Sequence, residues 1–400
     1  MKPPSHVYNL SATPHGPTAV RDRDGSRGTV LVIVLVTILF ASVALFVFME
    51  KASNDLLVEI READARRLRT DALSAMETVL AVLEDFRRVN NGLRSPAEGW
   101  GDPLAFAGYD PGEGTTVEVE FADESGKLSL PTLDAAALTQ LFVTWEVPKT
   151  DAERLADALM GWMRQDYVPA SASSPRAEDY ERGELPYLPP ERPLRSFSEL
   201  AAIEVVRDFF YDEGGRPTAY LQRFKEAVSL FQYSRPNVNG APADALSALG
   251  QLDPNQQQRM DDFRRGLGSY QTTGPGYFKS TDEAATLLGQ QASPDSFGVE
   301  ISALRIRVTV SRGTARYQLT AVVAPPNGAQ LVKPGVATST RTGAGSRSGT
   351  EKALAPTPTP TPARSGRDAG ASKKLNYPFT LLEITENVVM SNTHAPNTEL

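Results

Sequence analysis

The longest hydrophobic feature of the chain lies near its N-terminus. From Thr29 to Met49, twenty-one consecutive residues carry no charge. As a helix that rises 1.5 Å per residue, this run spans about 30 Å of hydrocarbon, which predicts one membrane-crossing helix. A cleaved secretory signal is the alternative, but its apolar core is normally about 7 to 15 residues long and ends at small residues. Because Phe48, Met49, Glu50 and Lys51 end the run here, we favour an anchor.

The helical pattern continues beyond the apolar run. Apolar residues between Glu50 and Asn90 recur at helical spacings, at Leu57, Ile60, Leu68, Met76, Val79, Leu80, Leu83 and Phe86. Asn91-Gly92 then supplies a helix stop. We expect one long helix that is apolar all round in its first third and amphipathic in its last part, where it docks on a folded domain.

Alternation of apolar and polar residues predicts four strands. These segments are 117–121, 304–310, 317–323 and 379–384. Turn residues at 123–127 end the first segment, and Ser311-Arg312-Gly313 joins the second and third as a hairpin.

The region between the first strand and the hairpin, residues 130–290, is predicted to be helical and to contain a repeat. Leu130–Leu138 aligns with Val238–Leu246 at a constant offset, and each copy opens a helix. Ser-x-x-Glu capping boxes at Ser196 and Ser280 mark two further helix starts, because the hydroxyl and the carboxylate satisfy free N–H groups. The duplication favours a structural role.

The amino-acid composition excludes several kinds of binding site and catalytic site. Lys+Arg 41 against Asp+Glu 49 gives a net charge of −8, which argues against a broad nucleic-acid surface. The absence of cysteine excludes disulfides, thiolate nucleophiles and cysteine metal sites. The three histidines, His6, His15 and His394, lie outside the predicted core, so a Ser-His-Asp triad and a HExxH site have no candidate there. The sequence therefore favours a protein that is not an enzyme.

The start of the apolar run resembles the N-terminus of type IV pilin-like proteins. Arg27-Gly28 directly precedes the run, and the fifth residue after Gly28 is Ile33, where these proteins usually have glutamate. Further segments that carry a resemblance are 126–138, 155–167, 177–200 and 236–250. Together they resemble the pseudopilin K family of type II secretion systems, which commonly lacks that acid. The resemblance implies that a prepilin peptidase cuts after Gly28 and leaves Thr29 as the first mature residue.

The fold that this resemblance implies is α+β. A pilin-like long N-terminal helix packs on a small antiparallel sheet, which a large inserted all-helical domain with an internal repeat interrupts. The expected parts are a leader at 1–28, the transmembrane part of the helix at 29–49, the amphipathic helix and first strand at 50–129, the inserted domain at 130–290, the remaining sheet at 291–325 and 375–390, and a low-complexity linker at 326–374. Gly, Ser, Thr and Pro dominate the linker, which predicts a disordered or polyproline II segment.

The function that the resemblance implies is that of a minor pseudopilin. Such a subunit caps the tip and initiates assembly of the type II secretion pseudopilus, which exports folded proteins. Its partners would be other minor pseudopilins in a tip heteromer, the prepilin peptidase, the inner-membrane secretion platform, and the membrane through residues 29–49. Three arginines before the run, against Lys51 and Arg61 after it, favour a cytoplasmic N-terminus and a periplasmic bulk, with a single pass of the bacterial inner membrane.

Two other functions remain as alternatives. One is a single-pass periplasmic protein whose helical domain binds a ligand. The other is a helix-hairpin-helix module for DNA uptake, which needs a Gly-x-Gly hairpin whose N–H groups meet phosphate. Ala248–Asp253 has one glycine and an acid instead, and we expect no nucleic-acid partner. Cleavage after Gly28 separates the pseudopilin from both alternatives.

Acidic residues supply one candidate metal site. The candidate ligands are Asp166, Glu178, Asp179 and Glu181. They lie in a Pro- and Ser-rich region between helices, and their carboxylate oxygens suit Ca²⁺. Only the family resemblance raises this interpretation, because EF-hand spacing is missing and Arg164 replaces one acid of the family's turn. The alternative is a solvated acidic loop, and calcium is the one cofactor considered.

Overall fold

The computed structural model describes residues 26–165, 167–182, 186–289, 296–332 and 378–390. The chain forms two compact units, which divide inside the first helix between Asp64 and Ala65. The helices are α1 (Ser26–Asn90), α2 (Pro103–Ala107), α3 (Ala135–Thr144), α4 (Lys149–Met163), α5 (Ala177–Glu181), α6 (Glu204–Phe210), α7 (Ala219–Ala227), α8 (Ala243–Gly250), α9 (Pro254–Arg265) and α10 (Thr281–Leu288). The strands are β1 (Thr115–Asp123), β2 (Leu128–Ser129), β3 (Val228–Ser229), β4 (Leu304–Arg312), β5 (Ala315–Ala324) and β6 (Thr380–Met390).

The first helix is continuous over 65 residues, as its pattern predicts. It ends where Asn91 and Gly92 take positive φ angles of 53° and 148°, a backbone conformation that favours glycine. The buried residues of its last part recur every three or four positions, so that one stripe faces the core. They are Leu68, Ala72, Ala75, Met76, Val79, Leu80 and Leu83.

A four-stranded antiparallel sheet, in the order β1-β4-β5-β6, forms the other side of this core. β4 and β5 are the predicted hairpin, with Arg312 paired to Ala315 at its turn. β6 runs to Met390 and is longer than the predicted segment at 379–384. Alternate residues of the central strands are buried against α1, including Ile306, Val308, Val310, Tyr317 and Leu319. The predicted α+β class, a long helix on a small antiparallel sheet, is confirmed.

Between β1 and β4 the chain leaves the sheet and forms the helical insertion. Its largest core packs α3, α4, α6 and α7 together, with Phe142, Phe210 and Phe224 fully buried. The rings of Phe142 and Phe224 stack with centroids 6.2 Å apart. The insertion also contains a short parallel pair of strands, β2 with β3, which the helical pattern does not predict.

Both copies of the repeat open a helix, as predicted. α3 begins at Ala135 and α8 begins at Ala243, the equivalent positions of the two copies. The starts are capped differently: Asp134 accepts a hydrogen bond from the N–H of Ala137 at 2.8 Å, whereas Pro242 gives α8 no side-chain cap. The two helices pack against each other, so the repeat forms a pair inside the insertion.

The two predicted capping boxes form in altered ways. At α10, the Ser280 hydroxyl accepts a hydrogen bond from the N–H of Glu283 at 3.3 Å, while the Glu283 carboxylate accepts one from the N–H of Lys279 at 2.7 Å. At Ser196, the hydroxyl accepts a hydrogen bond from the N–H of Ser198 at 3.2 Å. A 3₁₀ turn follows there instead of an α-helix, because the backbone closes i to i+3 bonds.

A polar cluster joins the insertion to the sheet where β1 ends. Asp123 accepts hydrogen bonds from the Ser125 hydroxyl at 2.7 Å, from the Gly126 N–H at 3.1 Å and from the Asn237 amide at 2.7 Å. The fully buried Asn237 amide also donates to the carbonyl of Arg94 at 2.9 Å. Burial raises the pKa of Asp123 to about 6, although these donors act in the opposite direction. Asp123 therefore links the end of β1 to the second repeat.

Two glycines bring the chain close to itself at this junction. A Cβ atom on Gly126 would overlap the carbonyl of Gly240, and a Cβ atom on Gly240 would overlap the carboxylate of Asp123. Both positions require glycine because there is no room for a side chain. Any side chain there would separate the end of β1 from the second repeat.

We predict that Gly240→Ala lowers the free energy of unfolding by about 1–3 kcal/mol, because the new methyl group overpacks the Asp123 cluster. The control is Gly161→Ala in α4, where the nearest atom to the new Cβ is a ring carbon of Tyr167 at 3.9 Å. This control should keep its stability or gain up to about 1 kcal/mol, since alanine favours helix. Urea denaturation of the full chain in micelles measures the free energy of unfolding of both variants. Equal losses of stability in the two variants would contradict the prediction.

Candidate assembly interface

The apolar side chains at the start of α1 are exposed on all sides of the helix. Ile33, Phe40 and Phe46 are 65%, 71% and 70% exposed. The most apolar stretch of α1 has a mean hydropathy of 3.2, and among the described residues one helix is long and apolar enough to cross a membrane. Exposure of so much apolar surface to water is costly, whereas a lipid environment removes that cost. This part of α1 is therefore suited to a single membrane anchor.

Two polar side chains within the apolar run are satisfied by the helix itself. The Thr37 hydroxyl donates to the carbonyl of Ile33 at 2.7 Å, and the Ser42 hydroxyl donates to the carbonyl of Ile38 at 2.8 Å. In hydrocarbon an unsatisfied hydroxyl group is costly, and these bonds remove that cost without a partner or water. The run is compatible with lipid and with packed apolar helices.

The N-terminal residues that the sequence singles out lie on this helix. Gly28 and Thr29 are within the first turn of α1, and Ile33 follows about one turn later. The predicted cleavage point and the residue that replaces the usual glutamate are thus carried by one helical segment. Residues 1–25 of the predicted leader lie outside the described residues.

A second feature, which the sequence pattern does not predict, ties the docked part of α1 to the last strand. Arg69 donates from Nε and Nη2 to the two carboxylate oxygens of Glu386, both at 2.8 Å. The Tyr317 hydroxyl donates to the same carboxylate at 2.7 Å. The hydrogen bonds from Arg69 and Tyr317 hold the pKa of Glu386 down at about 2. Burial and the bond to Glu386 raise the pKa of Tyr317 to about 12.

The feature of the sequence that indicates this ion pair is an acid on the face of a strand that lies toward the core. Glu386 pairs with Leu319 in the register of β5 and β6, and Leu319 is buried against α1. The Glu386 side chain stays 35% exposed, and Arg69 supplies a paired cation for it from the helix. The predicted strand ends at Ile384 and therefore does not include Glu386.

The candidate calcium ligands are partly described. Glu178, Asp179 and Glu181 are exposed on α5, and Asp166 lies outside the described residues. Asp179 accepts a hydrogen bond from the N–H of Arg176 at 2.9 Å, and Glu178 pairs with Arg182 at 3.5 Å. Within the part of the chain that the structure describes, no group of three metal-ligating side chains forms. The calcium site stays a prediction.

The residue that replaces an acid in the family's turn has a structural role. Arg164 donates from Nη2 to the carbonyl of Leu133 at 2.6 Å, which ties the end of α4 to the segment before α3. Trp162, two residues earlier, is buried, and its ring meets that of Tyr180 edge-on at 5.6 Å.

The turn between α8 and α9 does not have the geometry of a DNA-binding hairpin. Gln251 takes the left-handed conformation after α8, with φ 53°. Asp253 then caps α9 and accepts a hydrogen bond from the N–H of Gln256 at 2.9 Å. A carboxylate therefore occupies the helix N-terminus where a phosphate would bind.

An exposed apolar helix that continues into an amphipathic part docked on an antiparallel sheet defines a pilin-like, membrane-anchored protein. Comparison with known proteins agrees with this class. A family model described as "Type II secretion system (T2SS), protein K" matches residues 122–213, in the first part of the insertion. The type II secretion system protein K of Pseudomonas aeruginosa PAO1 is 23% identical over 315 residues, which cover 74% of this chain and 88% of that protein.

A solved structure is also similar. It is a chain of the GspK-GspI-GspJ complex from the enterotoxigenic Escherichia coli type 2 secretion system, with 16% identity and a TM-score of 0.48 over 68% of this chain and 96% of that chain. The predicted resemblance to pseudopilin K of type II secretion systems is confirmed by the family model and the curated relative. That family is a structural component of the secretion system.

We predict that Glu386→Gln lowers the melting temperature at pH 7, because Arg69 and Tyr317 lose a charged acceptor. The pKa of Glu386 is depressed from 4.5 to about 2 in the folded protein. Its stabilising contribution is therefore full above about pH 5 and is lost as the pH falls toward 2. Wild type and variant should converge near pH 2 in thermal unfolding followed by circular dichroism.

The matched control for this prediction is Glu383→Gln on the same strand. Its cation partner, Arg305, is 3.9 Å away and the pair is partly exposed, so that little change is expected. A pH-independent difference between wild type and Glu386→Gln would contradict the assignment of the effect to the carboxylate.

Proposed function

We propose that this chain caps the tip of a type II secretion pseudopilus and starts its assembly, as a minor pseudopilin without enzymatic activity. A minor pseudopilin of type II secretion is the function that the family match and the curated relative support. The tip position is the finer part of the proposal. The observation that carries it is Ile33, an exposed apolar residue of α1 where pilin-like proteins usually carry glutamate.

The electrostatics of packed apolar helices explain why this residue matters. A glutamate at the fifth mature position is suited to neutralise the terminal ammonium of the subunit above it, since opposite charges attract strongly where the dielectric is low. A subunit with nothing above it has no such ammonium to meet. Glutamate would then be an unpaired charge among apolar helices, which is costly. Ile33 avoids that cost and suits the top of the filament.

The helical insertion supports the same position. It occupies the chain between β1 and β4 and adds bulk that obstructs stacking of a further subunit above. The absence of enzymatic activity is supported by the side chains available, because the chain lacks cysteine and its histidines, His6, His15 and His394, lie outside the described core. The chain thus acts by assembly.

The partners and location follow from the proposal. Other minor pseudopilins join this chain in a tip heteromer, and the inner-membrane platform receives it. Residues 29–49 cross the inner membrane once, with the N-terminus in the cytoplasm and the bulk in the periplasm. A prepilin peptidase cuts between Gly28 and Thr29, which a periplasmic ligand-binding protein or a DNA-uptake module would not require.

We predict that maturation leaves residues 29–400. Intact mass measurement of the membrane-purified protein should show loss of residues 1–28 in a host with prepilin peptidase and an intact leader in a host without it. Gly28→Val should block the cut, while the control Gly25→Val, three residues earlier, should not. An uncut chain in the presence of the peptidase would contradict the proposal.

We predict that gold labels directed to a tag in residues 326–374 mark one end of the pseudopilus. Ile33→Glu should give several-fold fewer labelled filaments, because the new carboxylate has no cation partner at the tip. Ile33→Leu, which keeps the position apolar, should resemble wild type. Labels spread along the filament, or an Ile33→Glu variant that assembles normally, would count against the tip position.

We propose a calcium site on Asp166, Glu178, Asp179 and Glu181, on the strength of the family resemblance. Millimolar Ca²⁺ should raise the melting temperature of the folded protein by mass action. The combination of Asp166→Ala and Asp179→Ala should abolish this shift. If the melting temperature still rises in the double variant, or does not rise in wild type, the proposed calcium site is wrong.

A further inference from the structure

A groove on the helical insertion is separate from α1 and from the four-stranded sheet. It lies between the α3–α4 connection, the start of α4, and helices α6 and α7, and its volume is about 370 Å³. This volume suits a small ligand or one or two side chains of a peptide. The lining residues belong to neither α1 nor the four-stranded sheet, so that assembly through those elements leaves the groove open.

One wall of the groove is aromatic. The rings of Phe209 and Tyr220 stack with centroids 4.6 Å apart and an interplanar angle of 27°. Tyr220 also stacks on the buried Trp145 at 6.1 Å. Leu155 and Val205 add apolar surface beside them. An aromatic wall of this kind attracts cations, and a planar guanidinium group stacks on it particularly well.

The charged lining residues are mostly acidic. Glu146, Asp151 and Asp208 line the groove, with Arg154 as the one cation among its lining residues. Among the described residues, the side-chain carboxylates of Glu146 and Asp151 form no hydrogen bond and no salt bridge. Asp244 and, to a smaller degree, Glu146 raise the pKa of the nearby Arg223. Arg154 donates from Nε to the carbonyl of Ser173 at 3.2 Å. Two carboxylates beside an aromatic wall therefore lack a directly bonded cation, since Arg223 pairs with Asp244 at 2.8 Å.

The backbone at Glu146 is unfavourable for glutamate. Its φ angle is 64°, in the left-handed region that glycine usually occupies after a helix. Its N–H bonds to the carbonyl of Val143 at 2.9 Å and closes the end of α3. Glycine would fit this turn with less strain, so that glutamate lowers stability here. Strain of this kind is typical of positions where the side chain has a role.

We propose that this groove binds an arginine of a second protein, next to an aromatic or aliphatic residue of the same segment. The guanidinium group stacks on the aromatic wall and pairs with Glu146 and Asp151, and the neighbouring residue covers Leu155 and Val205. Charge complementarity selects a basic segment over a neutral or acidic one. Arginine is preferred to lysine because its planar group both stacks and forms paired hydrogen bonds. The proposal does not depend on the tip position.

The test uses the full chain in detergent micelles and the peptide acetyl-Gly-Arg-Phe-Gly-amide. Isothermal titration calorimetry compares this peptide with acetyl-Gly-Glu-Phe-Gly-amide and acetyl-Gly-Arg-Gly-Gly-amide. The Arg-Phe peptide should bind at least about tenfold more tightly than either, and added salt should weaken it. Equal affinities for the three peptides, or no binding of the first, would overturn the proposal.

The decisive variant is Glu146→Gly. It should raise the melting temperature, because the strain is relieved, and weaken the Arg-Phe peptide about tenfold, because a carboxylate is lost. The control Gln251→Gly relieves a similar positive φ of 53° after α8, outside the groove, and should raise the melting temperature without changing the affinity. Undiminished binding by Glu146→Gly would overturn the proposal.

A competing occupant is this chain's own basic segment. Residues 333–377 carry eight basic and two acidic side chains. Deletion of this segment should leave the affinity for the Arg-Phe peptide unchanged. A gain in affinity after the deletion would show that the segment competes for the groove, and would overturn the assignment to a second protein.

Discussion

The packing of the last part of α1 on the antiparallel sheet is the interaction on which the rest of the fold depends. The sheet is assembled from distant parts of the chain, since β1 ends at Asp123 and β4 begins at Leu304. Closure of such a long loop costs little more than closure of a shorter one, but it must still be offset by burial. Each buried leucine or valine of the α1 stripe contributes about 1.5–3 kcal/mol toward that cost.

The same helix must satisfy two environments, and its sequence changes accordingly. The first part is apolar on every side, as lipid or neighbouring apolar helices require. The last part has one buried stripe and a polar remainder. Arg69 lies on the docked part and reaches Glu386 on β6, so the last strand is tied directly to the helix. The insertion then has to leave and rejoin the sheet without disturbing this packing, which the Asp123 cluster with Gly126 and Gly240 makes possible.

Local patterns allowed much of this architecture to be predicted. The length of α1, the β4–β5 hairpin and the two repeat helices follow from periodicities within short windows. Contacts between distant residues left no such pattern. The Arg69–Glu386 pair joins positions 317 residues apart, and β2 and β3 are too short for alternation to identify them. Ser196 caps a helical turn, as its motif predicts, but the turn that follows is a 3₁₀ turn and not an α-helix.

The placement of the N-terminal candidate residues was predictable because they lie in one segment, and their role stays a prediction. Gly28, Thr29 and Ile33 are neighbours in sequence, and the structure places them on one helix. The groove at Glu146 is different, because it combines the α3–α4 connection with parts of α4, α6 and α7. Nothing in the local sequence around Glu146 indicates a left-handed backbone or an aromatic neighbour from α7. Such a site becomes visible when the packing of the helices is known.

The central claim is that the docked part of α1 and the four strands form one cooperative unit. Native-state hydrogen exchange measures this directly, because each amide reports the free energy of the opening that exposes it. Amides of residues 68–83 and of β4, β5 and β6 should exchange with similar free energies, and Val79→Ala should lower all of them together by about 1–3 kcal/mol. Exchange in the helix that is much faster than in the sheet, or a change confined to α1, would contradict the account.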